Sequence, residues 1–102
     1  MIELLTANTP NGKKISIMLE EIMLEYKVTK INIYKDEQFK PEFIKISPFK
    51  KIPVIIDHEN QRSIFESGAI LIYLGEKSGK FYNKEERTTI NQWLMGQMAY
   101  VG

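Results

Sequence analysis

A strand-to-helix corner near the start of the chain carries the first side chains that suit chemistry. The sequence there reads TANTPNG, and Thr9 and Asn11 flank Pro10 where a helical pattern begins. Free backbone N–H groups and the helix dipole favour an anion at such a corner. The hydroxyl and the amide are two further donors for an anion such as a thiolate. The alternative is that Thr9 or Asn11 only caps the helix.

Two later stretches suit a peptide-like ligand. In KKIPV, a cis bond between Ile52 and Pro53 would leave the Ile52 backbone free to pair with an extended peptide. The alternative is an ordinary trans proline at a strand entry. In FESGAI, we expect Ser67 to cap a helix whose first N–H groups suit a carboxylate, and Glu66 is an acceptor for an ammonium group. That pair fits the α-amino-acid end of a ligand, or is only a helix cap beside a solvated glutamate.

Composition excludes several other kinds of site. The chain has no cysteine, which rules out disulfides, thiolate zinc sites and a redox dithiol of its own. Its 14 basic and 13 acidic side chains nearly balance, so nothing favours a nucleic acid or a membrane surface as partner. The lone histidine, His58, predicts a solvated turn and no metal site. Without an apolar run of about 20 residues or a signal-peptide pattern, we expect a soluble, cytoplasmic protein.

The elements that position these stretches follow from hydrophobic spacing. The pattern predicts a strand at 2–5, an amphipathic helix at 15–26, a strand at 28–34, a short helix from Pro41, a hairpin at 54–65 and an apolar helix at 69–74. The strand–helix–strand half requires a right-handed crossover, and the hairpin adds an antiparallel pair. We therefore predict an α/β domain over residues 1–80. It is a thioredoxin-like four-stranded mixed sheet in the order βαβ-α-ββα, with helices on both faces.

The last part of the chain predicts a further helix. Asn83 and Glu86 have the spacing of a capping box, and apolar residues then recur at helical spacing up to Val101. The preceding helix, Ala69 to Leu74, is apolar all round and therefore needs a partner on the side away from the sheet. We expect residues 84–102 to be the start of a truncated, all-helical second domain that supplies this partner.

The order of these segments resembles the glutathione S-transferase superfamily. The resemblance is carried by TPNG, QFKPEFIKISPFKKIPVI, FESGAILIYLGEKSG and QWL. It points in particular to the bacterial nu class and to the GST-like domain of the yeast nitrogen-regulating prion protein. It implies glutathione as co-substrate, with Glu66 and Ser67 holding the γ-glutamyl amine and carboxylate. It also implies that the Ile52 backbone, beside a cis Pro53, pairs with the cysteinyl unit.

The same resemblance assigns the remaining positions and an activity. Gln38 and Lys51 match positions that approach the glycine carboxylate, and Thr9 and Asn11 match the thiol-facing corner. This branch lacks the tyrosine, serine or cysteine that activates the thiol in other classes, but a helix start and hydrogen-bond donors lower a thiol pKa. The implied activity is glutathione-dependent reduction of a disulfide, or transfer to a small electrophile, in a full-length homodimer. The alternative is a binding or regulatory module with little turnover.

Overall fold

A four-stranded mixed sheet organises residues 1–100, the part of the chain that the computed structural model describes. The elements are β1 (Ile2–Thr6), α1 (Pro10–Ile22), β2 (Tyr26–Lys30), α2 (Pro41–Ile44), β3 (Val54–Asp57), β4 (Arg62–Phe65), α3 (Ser67–Ser78) and α4 (Arg87–Tyr100). The strand order across the sheet is β2-β1-β3-β4. This is the thioredoxin-like arrangement that the sequence predicts. The predicted helical position of Val101 lies outside the described residues.

The central strand β1 sets the register of the sheet. It runs parallel to β2, reached through the α1 crossover, and antiparallel to β3, which pairs in turn with β4. Leu4 lies opposite Val28 on β2 and Ile55 on β3. Because β1 has a neighbour on each side and helices above and below, four of its five residues are buried.

Two apolar clusters fill the two faces of the sheet. The larger one joins the sheet to α1 and α3 and consists of Ile2, Leu4, Ile15, Leu19, Ile22, Ile55, Ile70 and Leu74. The smaller one lies on the opposite face, where Phe43 of α2 packs with Leu5 and Val54. The buried residues of α1 have the helical spacing seen in the sequence. Because α1 and α3 cover one face and α2 the other, the prediction of helices on both faces is confirmed.

The second strand begins and ends earlier than predicted. Helix α1 stops at Met23, whose left-handed backbone (φ 60°) turns the chain, so Tyr26 opens β2 instead of extending the helix. At the other end, the Asn32 side chain accepts hydrogen bonds from the N–H groups of Tyr34 and Lys35. This local bonding closes a 3₁₀ turn at Ile33–Lys35 in place of the predicted continuation of the strand.

Helix α4 covers part of the face of α3 that points away from the sheet. A Cβ on Gly75 of α3 would lie 2.8 Å from the Cβ of Tyr82, in the segment between α3 and α4, so glycine is required where this segment crosses α3. Leu71 borders a small cavity with Ile90 and Leu94 of α4, whereas Trp93 is exposed. No helix among residues 1–100 is long and apolar enough to cross a membrane.

The helical start before α4 is capped as its sequence predicts. The Glu86 N–H donates to Asn83 Oδ1 at 3.0 Å, and Asn83 Nδ2 donates to Glu86 Oε1 at 3.2 Å. The second bond is donated by the Asn83 side-chain amide and not by its backbone N–H, so the arrangement is a variant of the capping box. The first turn, Lys84–Glu86, is 3₁₀ and leads directly into α4.

Candidate functional site

Six of the eight residues singled out in the sequence line one pocket of about 210 Å³. The pocket lies where the start of α1, the loop before β3 and the start of α3 meet. The lining residues are Asn11, Ser47, Lys51, Ile52, Pro53, Glu66, Ser67 and Met98. Thr9 and Gln38, the other two predicted residues, do not line it.

Thr9 is the N-cap of α1, which agrees with the alternative interpretation of this corner as a simple helix cap. The Gly12 N–H donates to Thr9 Oγ1 at 3.1 Å, and Pro10 occupies the first helical position. The Thr9 hydroxyl keeps its own hydrogen for donation. Gly12 is required at this corner, because a Cβ there would lie 2.6 Å from the Ala7 carbonyl oxygen. The corner is therefore a tightly packed helix start.

Asn11 lines the pocket from the first turn of α1. Its Oδ1 accepts a hydrogen bond of 2.9 Å from Lys14 Nζ. The two hydrogens on Asn11 Nδ2 have no acceptor within the described part of the chain, so they are available to a bound anion.

The loop before β3 is held in shape by a buried serine. Ser47 Oγ donates to the Lys51 carbonyl oxygen at 2.7 Å and accepts from the Lys51 N–H at 3.2 Å. The Ile52–Pro53 bond is cis, as the family resemblance implies. The ladder of β3 with β1 and β4 begins at Val54, so the Ile52 backbone lies beyond the end of the sheet and faces the pocket.

Replacing Ser47 with alanine is expected to lower the free energy of unfolding by about 1 to 3 kcal/mol. The reason is that the Lys51 N–H and carbonyl both lose the hydrogen-bond partner that the buried Ser47 hydroxyl provides. Chemical denaturation measures this, with Ser63→Ala as control because Ser63 is an exposed serine on β4. A loss no larger than that of the control would contradict the role assigned to Ser47.

The start of α3 differs from the sequence prediction. Ser67 is the first helical residue and not the N-cap, so the expectation that it caps the helix is wrong. Glu66 occupies the cap position with φ 74°, a conformation that costs energy for a residue other than glycine. No side chain among residues 1–100 caps this helix, and Ser67 Oγ donates to Met98 Sδ at 3.4 Å. The first N–H groups of α3 are thus open to a carboxylate, beside the exposed Glu66 carboxylate.

Gln38 lies in a 3₁₀ turn, Glu37–Phe39, away from the pocket lining. Its Oε1 is buried and has no hydrogen-bond partner within residues 1–100. Lys51, the other residue predicted near a glycine carboxylate, is exposed and lines the pocket. The structure therefore brings Lys51 to the site and does not bring Gln38 there.

A family comparison matches residues 2–76 to the N-terminal domain of glutathione S-transferase. The chain belongs to the glutathione S-transferase family. The matched region contains every strand of the sheet, α1, α2 and the pocket-facing end of α3. Of the residues that line the pocket, Met98 alone lies beyond it.

Individual glutathione S-transferase relatives agree with this assignment. The chain is 49% identical to the disulfide-bond oxidoreductase YfcG of Escherichia coli (strain K12), over 100% of this chain and 51% of YfcG. It is 38% identical to protein URE2 of Candida maltosa, over 90% of this chain and 31% of URE2. A glutathione transferase from Pseudomonas putida, solved with one glutathione disulfide per subunit, superposes with a TM-score of 0.92 at 47% identity. That match covers 99% of this chain and 46% of the other, so the chain spans about half the length of YfcG and of this transferase, and less of URE2.

A buried aspartate at the end of β3 connects the hairpin of this glutathione S-transferase domain to α3. Asp57 is fully buried and accepts hydrogen bonds from the Tyr73 hydroxyl at 2.5 Å and from Lys77 Nζ at 2.9 Å. Burial raises the pKa of Asp57, but the bonds from Tyr73, Lys77 and the Glu59 N–H outweigh burial and hold that pKa below its usual value. Burial and the Asp57 carboxylate both raise the pKa of Tyr73. This network fixes the position of α3, whose first turn borders the pocket.

A second charged cluster lies on the same sheet, where His58 is paired and not simply a solvated turn residue. His58 Nε2 lies 2.8 Å from Glu3 Oε1, and Thr29 Oγ1 donates to Glu3 Oε2 at 2.7 Å. The bond from Thr29 is the largest influence on Glu3 and lowers its pKa against a smaller opposing effect of burial. Within the described residues, no group of three or more acidic or histidine side chains is placed to hold a metal ion.

Several residues at the site carry no recognisable signal of their own in the sequence. Met98 and Gln97 belong to α4, and only the packing of α4 on α1 and α3 brings Met98 to the pocket and Gln97 to Lys14 beside it. A wider cavity of about 650 Å³, between α1 and the segment after β2, is lined by other residues, including Lys13 and Tyr34. We take the smaller pocket as the candidate site, because it joins helix starts, the loop backbone before β3 and charged side chains.

Proposed function

We propose that this chain binds glutathione in the 210 Å³ pocket and that the full-length protein uses the bound thiolate to reduce disulfides. The observation that carries the proposal is the convergence of three distant segments on this pocket. Each presents what one part of the tripeptide requires: donors for a thiolate, a loop backbone outside the sheet that can pair with a peptide, and an anion and cation site side by side. The relatives named above support it, because YfcG is a disulfide-bond oxidoreductase and the Pseudomonas putida transferase binds glutathione disulfide.

The α3 start binds the γ-glutamyl end of the ligand in this proposal. The ligand carboxylate accepts hydrogen bonds from the first N–H groups of α3 and from Ser67 Oγ, and the Glu66 carboxylate binds the ligand ammonium. The Ile52 backbone pairs with the cysteinyl unit next to it. At the far end, the exposed Lys51 ammonium faces the glycine carboxylate. Gln38 takes part only if its turn moves toward the pocket.

Asn11 is the main donor to the thiolate, because its amide lines the pocket and Thr9 does not. Thr9 contributes chiefly by capping α1 and thereby fixing the helix start. The dipole of α1 and the Asn11 N–H groups stabilise the thiolate over the thiol, which lowers the thiol pKa. Met98 and Ser47 border the same pocket without a charge of their own.

The thiolate attacks one sulfur of a disulfide substrate, and the other sulfur leaves as a thiolate that takes up a proton. A second glutathione then attacks the mixed disulfide. The balance is two glutathiones oxidised to glutathione disulfide for one substrate disulfide reduced to two thiols. The same thiolate can instead attack a small electrophile, which is the transferase reaction.

The proposal extends to the organisation of the whole protein. Residues 1–80 form the glutathione-binding domain, and residues 84–102 begin an all-helical domain that completes the pocket and contributes to a homodimer. A cytoplasmic location fits, because a reducing compartment supplies reduced glutathione to a protein that has no thiol of its own.

Removing the Asn11 amide tests the proposed chemistry. In the full-length protein, Asn11→Ala is expected to lower kcat/KM for glutathione-dependent reduction of a small disulfide by about 10- to 100-fold. This is the effect of losing one hydrogen bond to a charged acceptor, here the thiolate. Glutathione affinity, measured by calorimetry, should fall less. Thr9→Ala is the matched control for damage to the helix start, and its rate should fall less than that of Asn11→Ala.

Three outcomes separate the proposal from its alternatives. A wild-type rate no greater than that of buffer would overturn the reductase function. Tight glutathione binding without turnover of disulfides or electrophiles would favour a regulatory binding module. Equal rates for wild type and Asn11→Ala would remove Asn11 from the mechanism.

A further inference from the structure

The Lys14 ammonium joins α1 to α4 beside the pocket. Lys14 Nζ donates to Asn11 Oδ1 at 2.9 Å and to Gln97 Oε1 at 3.0 Å. Lys14 is half-buried and does not line the pocket, whereas Asn11 does. The lysine therefore contacts the pocket only through the asparagine.

The chemistry of an ammonium group decides which way the Asn11 amide faces. A lysine ammonium has three donors and no acceptor, so only the oxygen of an amide can bind it. With Oδ1 held by Lys14, the Nδ2 hydrogens lie on the other side of the planar amide. Without Lys14, the amide can rotate by half a turn and present its oxygen, which repels a thiolate.

We infer that Lys14 is a positioning residue that keeps the Asn11 N–H groups toward the sulfur of the bound ligand. The inference rests on the proposed glutathione function. Gln97 completes the arrangement from α4 by holding the ammonium from its other side. The donor geometry at the thiolate thus depends on a residue of α4, beyond the residues 2–76 that the family comparison matches.

The test uses the full-length protein with Lys14→Met, which keeps the length of the side chain and removes its donors. We expect the pKa of bound glutathione to rise, since its thiolate loses an oriented donor, and kcat/KM below that pKa to fall about tenfold. The Kd of S-methylglutathione, which has no thiol, should stay within about twofold because that ligand has no thiolate to stabilise. Lys14→Arg keeps N–H donors and should recover part of the rate.

Two controls show whether Lys14 acts through Asn11. Lys13→Met also removes one positive charge, but at an exposed neighbouring position, and should leave the thiol pKa unchanged. The double variant Asn11→Ala with Lys14→Met should be no slower than Asn11→Ala alone. If the two losses multiply, Lys14 acts directly as a charge on the thiolate and the inference is wrong.

Gln97→Leu offers an independent check from α4. It should raise the thiol pKa less than Lys14→Met does, because Lys14 keeps its bond to Asn11. A normal thiol pKa in the wild type would overturn the proposed function itself. A lowered thiol pKa in the wild type that Lys14→Met leaves unchanged would overturn only the role of Lys14.

Discussion

Replacing Asp57 with alanine is expected to lower the free energy of unfolding by about 3 kcal/mol, at the lower end of the effect of breaking a buried ion pair. The substitution leaves the Tyr73 hydroxyl and the Lys77 ammonium without their acceptor. The Lys77 side chain is 23% exposed, so water can partly replace the lost partner. Denaturant titration of the chain measures the loss.

Glu59→Ala is the matched control for Asp57→Ala. Glu59 pairs with the same lysine at 3.4 Å but is 73% exposed, and such surface pairs contribute little. Its free energy of unfolding should therefore stay within about 0.5 kcal/mol of wild type. Equal losses for the two variants would show that burial of Asp57 does not matter.

The Asp57 network also predicts how stability depends on pH. The folded-state pKa of Asp57 lies below its ordinary value of 3.8, so its contribution is present above that value and is lost as pH falls through the folded pKa. Wild type should lose stability on acidification more steeply than Asp57→Asn, which has no such titration. Parallel pH curves for the two proteins would contradict the assigned network.

Replacing Glu66 with alanine is expected to weaken glutathione binding by about 10- to 100-fold, the cost of leaving the ligand ammonium without its acceptor. Isothermal calorimetry measures the Kd. Cysteinylglycine, which lacks the γ-glutamyl unit, should bind wild type and Glu66→Ala equally. That comparison separates a lost contact from a damaged pocket.

Glu76→Ala provides the control for charge in the Glu66 experiment. Glu76 lies on the same helix, is exposed and does not line the pocket, so its removal changes net charge without touching the proposed ligand. An unchanged Kd for Glu66→Ala would contradict the proposed binding of the γ-glutamyl amine. Equal weakening by both substitutions would mean that charge alone matters.

Local spacing predicted the fold well because each element has one dominant pattern. The helical spacing of Ile15, Leu19 and Ile22 identifies the buried side of α1 without any tertiary information. The ends of β2 could not be read in the same way. They depend on the left-handed residue Met23 and on the bonds of Asn32, neither of which interrupts the hydrophobic pattern.

The site was predictable where one segment carries its own chemistry and not where segments meet. Glu66, Ser67 and the Ile52–Pro53 pair are adjacent in sequence, so their types already indicate a ligand. The bond between Lys14 and Gln97 joins residues far apart in the chain and exists only once α4 packs on α1. The capping role of Ser67 was predicted wrongly because the unusual backbone of Glu66 starts the helix one residue earlier than the serine preference suggests.

The contact between Ser67 and Met98 makes the pocket and α4 thermodynamically dependent on each other. A hydroxyl has one hydrogen, and Ser67 gives it to Met98 Sδ at 3.4 Å. A ligand carboxylate that accepts this hydrogen takes it from the thioether, so filling the pocket withdraws one contact from α4. By linkage, a contact that stabilises α4 with its bond to Ser67 intact weakens ligand binding in the pocket. The bound ligand weakens that contact by the same factor.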